Sequence, residues 1–165
     1  MKIIYSRRSI RKYLDKKIDE DIITELLKAA MAAPSAGNQQ PWEYYVVSNK
    51  ELINKLSQVT PYTKCAAGAP IVLVPCYRTE SLRFPAFAHI DMSASVENLL
   101  IEATHHGLGA VWMGIAPHQD SQDKVNKLLN LPEGFQSFAL IPIGYPDELK
   151  EPQTRYEESR VHYIK

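Results

Sequence analysis

Arg7-Arg8-Ser9-Ile10-Arg11-Lys12-Tyr13 and Ala33-Pro34-Ser35-Ala36-Gly37-Asn38-Gln39-Gln40-Pro41-Trp42 are the two stretches from which the fold of this 165-residue chain is read. The first puts three guanidiniums and a hydroxyl within five positions. Arginine donates in a planar fork that suits phosphate oxygens. The second is a run of small and amide residues between a helical pattern and a strand pattern. Such a loop brings backbone and side-chain donors close to a flat, polar-edged ligand. Together, in this order, they read as a site for a phosphorylated heterocycle. Taken alone, the basic run is an ordinary solvated turn, and Pro34 to Asn38 alone is a helix stop and turn.

Working outward, Asp19 is placed to cap a helix from about Glu20 to Ala33. Ile22, Ile23, Leu26, Leu27, Ala30 and Met31 fall at helical spacing on one face. Pro34 disfavours helical geometry at Ala33 and ends it. Trp42 to Val47 is aromatic and β-branched and predicts a strand. Asn49 to Gln58 predicts a short helix, and Pro61 to Gly68 a loop or broken helix. Ile71 to Val74 predicts a buried strand that Pro75 closes or marks as an edge. Phe84 to His106 is the longest helical pattern, with Ala88, Met92, Val96, Leu99, Leu100 and Ala103 on one side and Gly107 as terminator. Ala110 to Ile115 predicts a strand, Gln119 to Asn130 a helix, and Phe135 to Ile143 a last strand. From Tyr145 the chain is a polar tail.

Length and composition bound the function. One domain fits this size. Lys plus Arg equals Asp plus Glu at 19 each, and this balance argues against a nucleic-acid binder, which carries a basic excess. No apolar run approaches membrane-spanning length. The start, Met1-Lys2-Ile3-Ile4-Tyr5-Ser6-Arg7, lacks a signal core and cleavage site, so the expected location is the cytoplasm. Cys65 and Cys76 fit that compartment as free thiols with packing roles. The five histidines show no metal-ligand spacing, and no metal site is expected. Gly107-Leu108-Gly109 lacks the third glycine of a dinucleotide fingerprint and runs from helix to strand, the reverse of the order that fingerprint needs. A nicotinamide coenzyme, if one is used, is therefore expected to visit as a substrate rather than to lodge in its own fold. Asp91 and Glu97 sit on the long helix and need no catalytic role. Trp42 and Trp112 read as packing residues.

The basic run, the PSAGNQQPW loop, the helix segment Asp91 to Leu100, the segment Gly107 to Gly114 and the closing Arg155 to His162 together resemble the short nitroreductase-family pattern. That resemblance implies an α+β fold with a mixed central sheet flanked by helices. It implies one domain over 1–165, with 146–165 a tail wrapping the partner subunit of an intertwined homodimer. It implies FMN at two interface sites, hydride taken from NADH or NADPH as a transient substrate, and electrons passed by a ping-pong cycle to a small-molecule acceptor such as a nitroaromatic or quinone. Arg7, Arg8, Ser9 and Arg11 match positions that hold the flavin's phosphate, ribityl chain and pyrimidine edge. A guanidinium near that edge also stabilises anionic reduced flavin. Pro34, Ser35, Ala36 and Asn38 match a loop that reaches the flavin from the other subunit. Met113 and Gly114 match a turn whose backbone faces the isoalloxazine, where glycine allows close approach. Arg155 matches a phosphate-binding arginine, with Arg160 a competitor. The flavin carries the chemistry, so no side chain is assigned as catalytic. Two other readings stand beside this one. One is a flavin-binding relative with different chemistry: dehalogenation, dehydrogenation or flavin breakdown. The other is a non-enzymatic module binding a phosphate or acidic ligand.

Overall fold

Ile71-Val72-Leu73-Val74 is apolar at every position because both faces of its strand are covered. The computed structural model describes residues 3–165; Met1 and Lys2, where the reading of the chain's start begins, lie outside the described residues. Among the described residues the helices are α1 (Ile3–Ser6), α2 (Glu20–Met31), α3 (Lys50–Leu56), α4 (Ala88–His105) and α5 (Gln119–Leu129). The strands are β1 (Trp42–Val47), β2 (Ile71–Arg78), β3 (Gly109–Ala110), β4 (Met113–Gly114), β5 (Phe135–Ser137) and β6 (Ala139–Gly144). The sheet runs β1-β2-β6-β3, with β5 also beside β2 and β4 also beside β6. On one face Ile71, Leu73, Ile141 and Ile143 share a core with Leu26 and Ala30 of α2 and Met92, Val96 and Leu99 of α4. On the other, Val72, Val74, Cys76 and Leu140 share a core with Ile53 and Leu56 of α3 and Val125 of α5. Alternation along the strand sends successive residues to opposite cores. Each large aliphatic side chain buried this way contributes roughly 1.5–3 kcal/mol.

The α+β class holds. The expected mixed sheet is antiparallel at every strand pair. Among the described residues, parallel pairing is confined to an isolated bridge between Ser9 and Ala110. Pro75 neither closes its strand nor marks an edge, since β2 continues to Arg78 with neighbours on both sides. Val74 and Pro75 stand opposite the three residues Phe138 to Leu140, because the β2–β5 and β2–β6 registers differ by one. This is a bulge, one of the few places a central strand tolerates proline. The Pro75 carbonyl accepts Phe138 N–H at 2.8 Å. A strand residue's nitrogen faces the same way as its oxygen, so the missing N–H falls at the bulge. The same bulge divides the predicted Phe135 to Ile143 strand into β5 and β6. The predicted Ala110 to Ile115 strand is also two pieces. One register runs through both, from Gly109 opposite Gly144 to Gly114 opposite Ala139. That register sets Val111 opposite Pro142, which has no N–H to give the ladder.

Both ends of α2 depart from the sequence expectation. Asp19 stands at the α2 N-cap, but its side chain makes no capping bond. α2 stops at Met31, ahead of the predicted Ala33, as its last turn tightens into the bonds Ala32 N–H to Ala29 O (3.2 Å) and Ala33 N–H to Ala30 O (3.3 Å). Met31 is exposed rather than on the buried face. The predicted α4 stripe is buried at all its positions, and it carries Asp91 and Ser95 as well. No helix among the described residues is long and apolar enough to cross a membrane.

Candidate flavin site

The basic run is held by its backbone, which leaves guanidinium capacity over. Ile10 N–H donates to Ala110 O at 3.0 Å, and buried Ile10 lies over Gly109, where an added Cβ would stand 2.6 Å from the Ile10 side chain. That close approach is the use of the second glycine in Gly107-Leu108-Gly109. The chain from Tyr145 to Gln153 lies along the other side of the run. Leu14 N–H donates to Tyr145 O (2.9 Å), Asp147 N–H to Lys12 O (2.9 Å), and Gln153 N–H to Tyr5 O (3.1 Å). Glu148 Oε1 accepts Arg11 N–H at 2.5 Å, and Lys150 Nζ donates to Ser9 O at 2.5 Å. The Arg11 amide first, and Lys150 with it, holds the Glu148 carboxyl below its ordinary range. The Tyr13 hydroxyl donates to Ile10 O at 2.6 Å, and burial pushes its pKa far up, which keeps it a donor.

The side chains of the run differ. Arg8 donates to the Glu151 carbonyl. Arg11 is exposed. Arg7 lies on α4, its Nε 3.0 Å from Glu97 Oε1. The N–H direction misses that oxygen, so Nε is buried without a hydrogen-bonded acceptor. The charge attraction to Glu97 holds the side chain in place, and the donor keeps capacity for a phosphate or flavin oxygen.

The 33–41 loop is finished by side chains from α4 and β2 and by its own serine. Asp91 accepts Ala36 N–H at Oδ1 (2.9 Å) and Gln39 Nε2 at Oδ2 (2.6 Å). Ser35 Oγ accepts Gln40 N–H at 3.0 Å, and Asn38 N–H donates to Ser35 O at 3.0 Å. Arg78 donates to Gln39 O (2.9 Å) and Gln40 O (3.1 Å). Gly37, Asn38 and Gln40 all have left-handed backbones, so the loop depends on these bonds and not on a regular ladder. Pro34 and Asn38 are exposed, and Ser35 and Ala36 half-buried.

Met113 is buried, and Cys65 Sγ donates to its sulfur at 3.5 Å. Burial pushes the Cys65 thiol pKa up, which makes it a poor nucleophile. Gly114 is exposed, and the nearest atom to a Cβ added there is 3.8 Å away. A flat ring can therefore lie against its backbone, where a side chain would fill the space. Arg155 and Arg160 lie in the exposed tail, where Arg155 donates to Gln153 Oε1 (3.1 Å) and Arg160 pairs with Glu157 (2.7 Å). Their polar contacts are thus with their own segment.

The residues fit FMN in two respects: an arginine Nε that makes no hydrogen bond, for its anionic groups, and open backbone at Gly114 for its ring. The loop is tied to α4 at Asp91 and Arg7 at Glu97. Six residues separate these anchors, which puts them about 120° apart around the helix and roughly 9 Å apart along it. A cavity of about 540 Å³ between the start of α2, the end of β1 and the start of β2 contains none of the candidate residues. No cluster of metal-ligating groups occurs among the described residues.

The sequence reading passed over Asp91, Glu97 and Gln39. A usable signal existed for Asp91: it falls with Ala88, Met92 and Ser95 on the apolar stripe of α4, where an ionised group requires partners. Glu97 and Gln39 carry no comparable mark.

The model of the nitroreductase family matches residues 4–64 and 58–145. A protein of Archaeoglobus fulgidus, named for NADH dehydrogenase and NAD(P)H nitroreductase activity, is 37% identical over 98% of this chain and 95% of its own. A Clostridium acetobutylicum crystal structure, named for NADH oxidase activity, is 39% identical with a TM-score of 0.95 and covers 99% of both chains. An FMN-dependent nitroreductase of Clostridium difficile R20291 is 27% identical with a TM-score of 0.90, covering 99% of this chain and 98% of its own. The match to the family model takes in the basic run, the 33–41 loop and the Met113–Gly114 turn, and on that ground the chain belongs to the nitroreductase family.

Proposed function

We propose that the chain is an FMN-dependent oxidoreductase that takes hydride from NADH or NADPH and delivers reducing equivalents to a nitroaromatic, quinone or similar small acceptor by a ping-pong cycle. The observation that carries this reading is the backbone-fixed basic run, in which the buried Arg7 Nε stands in an ion pair with Glu97 but makes no hydrogen bond. Bound FMN supplies a ring that accepts a hydride and returns its electrons to a second substrate.

The chain's own residues bind and orient. Arg7, Arg8 and Arg11 supply positive charge to the phosphate and pyrimidine edge, with the Ser9 hydroxyl beside them. Arg155 or Arg160 adds a second charge to the phosphate. Gly114, next to Met113, leaves backbone open to the ring. Pro34, Ser35, Ala36 and Asn38 close over the flavin from the second chain. No histidine or carboxylate is assigned a proton-transfer role.

Assembly is part of the proposal: one flavin-binding domain over 1–165, with 146–165 wrapping a second copy. The separation of the two anchors on α4 supports a site completed by symmetry, since one self-complementary interface then makes two sites. Exposed Leu149, Tyr156, Val161, Tyr163 and Ile164 support a tail that packs on another surface.

Anaerobic titration of the FMN-loaded protein with NADH and NADPH, followed by an acceptor panel, tests the reading. We expect the flavin colour to bleach and return, and steady-state double-reciprocal lines to be parallel. Failure to take up FMN, or recovery of FAD, contradicts it. Intersecting lines contradict the ping-pong cycle.

A further inference from the structure

We infer that Asp91 is the positioning residue of the 33–41 loop, fixing its flavin-facing form through Ala36 and Gln39; the inference rests on the flavin reading above. Asp91 is 4% exposed on α4, and both its oxygens are used. Two donors converge on it, the Ala36 amide and the Gln39 carboxamide. A carboxylate can accept both, whereas an asparagine offers one oxygen and one NH₂ group.

The polarity of the whole contact follows from this. Gln39 Nε2 donates to Asp91 and also to Phe84 O (3.0 Å), while Gln39 Oε1 accepts Phe84 N–H (2.9 Å). Asp91→Asn sets NH₂ against NH₂. Turning Gln39 over mends that contact but breaks two others, putting oxygen against Phe84 O and nitrogen against Phe84 N–H. No orientation satisfies the network, so the loop must shift. The Phe84 ring is seated on Gly37, where an added Cβ would meet it at 2.5 Å. A shift of Gln39 therefore carries Gly37 and Asn38 with it. In this arrangement Asp91 touches no substrate or cofactor. It acts by setting where Ser35 to Asn38 stand.

The test compares Asp91→Asn, Gln39→Leu, the double variant and Leu56→Ala as whole chains. Leu56 is fully buried in the core on the opposite sheet face, so Leu56→Ala lowers the melting temperature without touching the loop. FMN dissociation constants are read by quenching of flavin fluorescence, beside the melting temperature of each apoprotein. We expect Asp91→Asn and Gln39→Leu each to weaken FMN by at least about tenfold, as loss of a charge-assisted bond implies. The double variant should be no weaker than the worse single one. Leu56→Ala should bind as wild type does once folded. Wild-type affinity in both loop variants overturns the inference, as does equal weakening by Leu56→Ala. If Asp91→Asn does not fold, half-exposed Gln39 decides alone. A wild-type protein that binds no FMN fails the flavin reading itself, which separates the two failures.

Discussion

The 33–41 loop and the 151–165 tail both carry candidate flavin contacts, and they are built in opposite ways. The loop has almost no regular structure, yet a buried carboxylate, an arginine and a serine hydroxyl take up its backbone and side-chain groups. The tail makes one short 3₁₀ turn, Glu158–Arg160, and every residue from Glu151 onward is exposed. Ile164 is 100% exposed and Tyr163 81%, in a protein whose sheet is covered on both faces. A loop completed within its own chain can present a ligand surface as it stands. A tail with its apolar side chains in water gains that capacity against a second surface. On the proposed reading, the comparison divides the candidate site into a part finished by one chain and a part completed by another.

Ending the chain at Thr154 tests that division most severely. It removes both candidate tail arginines and keeps the clasp at Glu148 and Gln153. The account expects an intact fold by circular dichroism, because no buried side chain is lost. It expects FMN affinity to fall about a hundredfold or more, since a charge-assisted phosphate contact and the wrapped interface go together. Unchanged affinity would remove the tail from the site. Arg7→Ala should weaken FMN by about 1.5–3 kcal/mol, the worth of a hydrogen bond to a charged group. Its melting temperature should barely move, since the lost pair with Glu97 is half-exposed and such pairs contribute little. A large stability loss with normal flavin binding would make Arg7 a structural residue.

Smaller effects sharpen the contrast. Gly37→Ala strains a φ of +56° and drives a Cβ into the Phe84 ring, whereas Gly68→Ala meets open space. We expect about 1–3 kcal/mol of destabilisation for the first and near neutrality for the second; equal melting temperatures would show that the loop yields freely. The weakest predicted effect lies at the boundary between fixed and free tail. Glu148 has a folded pKa below its ordinary 4.5 because it accepts the Arg11 amide. A depressed carboxylate contributes stability that is whole above the ordinary value and is lost as pH falls through the lower, folded one. The Arg11 amide resonance in an NMR titration should therefore report a midpoint below 4.5, and Glu148→Gln should abolish the transition. A midpoint at or above that value would mean the clasp is open in solution.

Much of this was legible from one dimension. The Trp42 to Val47 strand, the buried stripe of α4 and the stop at Gly107 follow from side-chain type and spacing, which act locally. Pro75 misled because its meaning depends on the partner strand: an extra residue around Phe138 creates the bulge that excuses the missing N–H. The Val111–Trp112 break was hidden for the same reason, its cause being Pro142 some thirty residues on in sequence. At the site, the residue types that suit a phosphate are legible because the basic run is followed by the small-residue loop; alone it reads as a solvated turn. Asp91 and Gln39 are not, since their role is to bind each other and Phe84 across 45 to 52 residues of chain. A tail that packs on a second copy, as proposed, marks its own chain only by exposed apolar residues.

The shared site is the central claim, and complementation between damaged chains tests it most directly. One chain carries Arg7→Ala and Arg8→Ala, the other Asn38→Gly, which removes the side chain while keeping the left-handed backbone. Each is made alone and then co-expressed with the other under distinct tags, and FMN per dimer is measured after tandem purification. The account predicts little flavin in either homodimer. It predicts a heterodimer with one intact site, holding about half the wild-type flavin. A heterodimer as empty as its parents, or a monomer that binds a full complement of FMN, would contradict it.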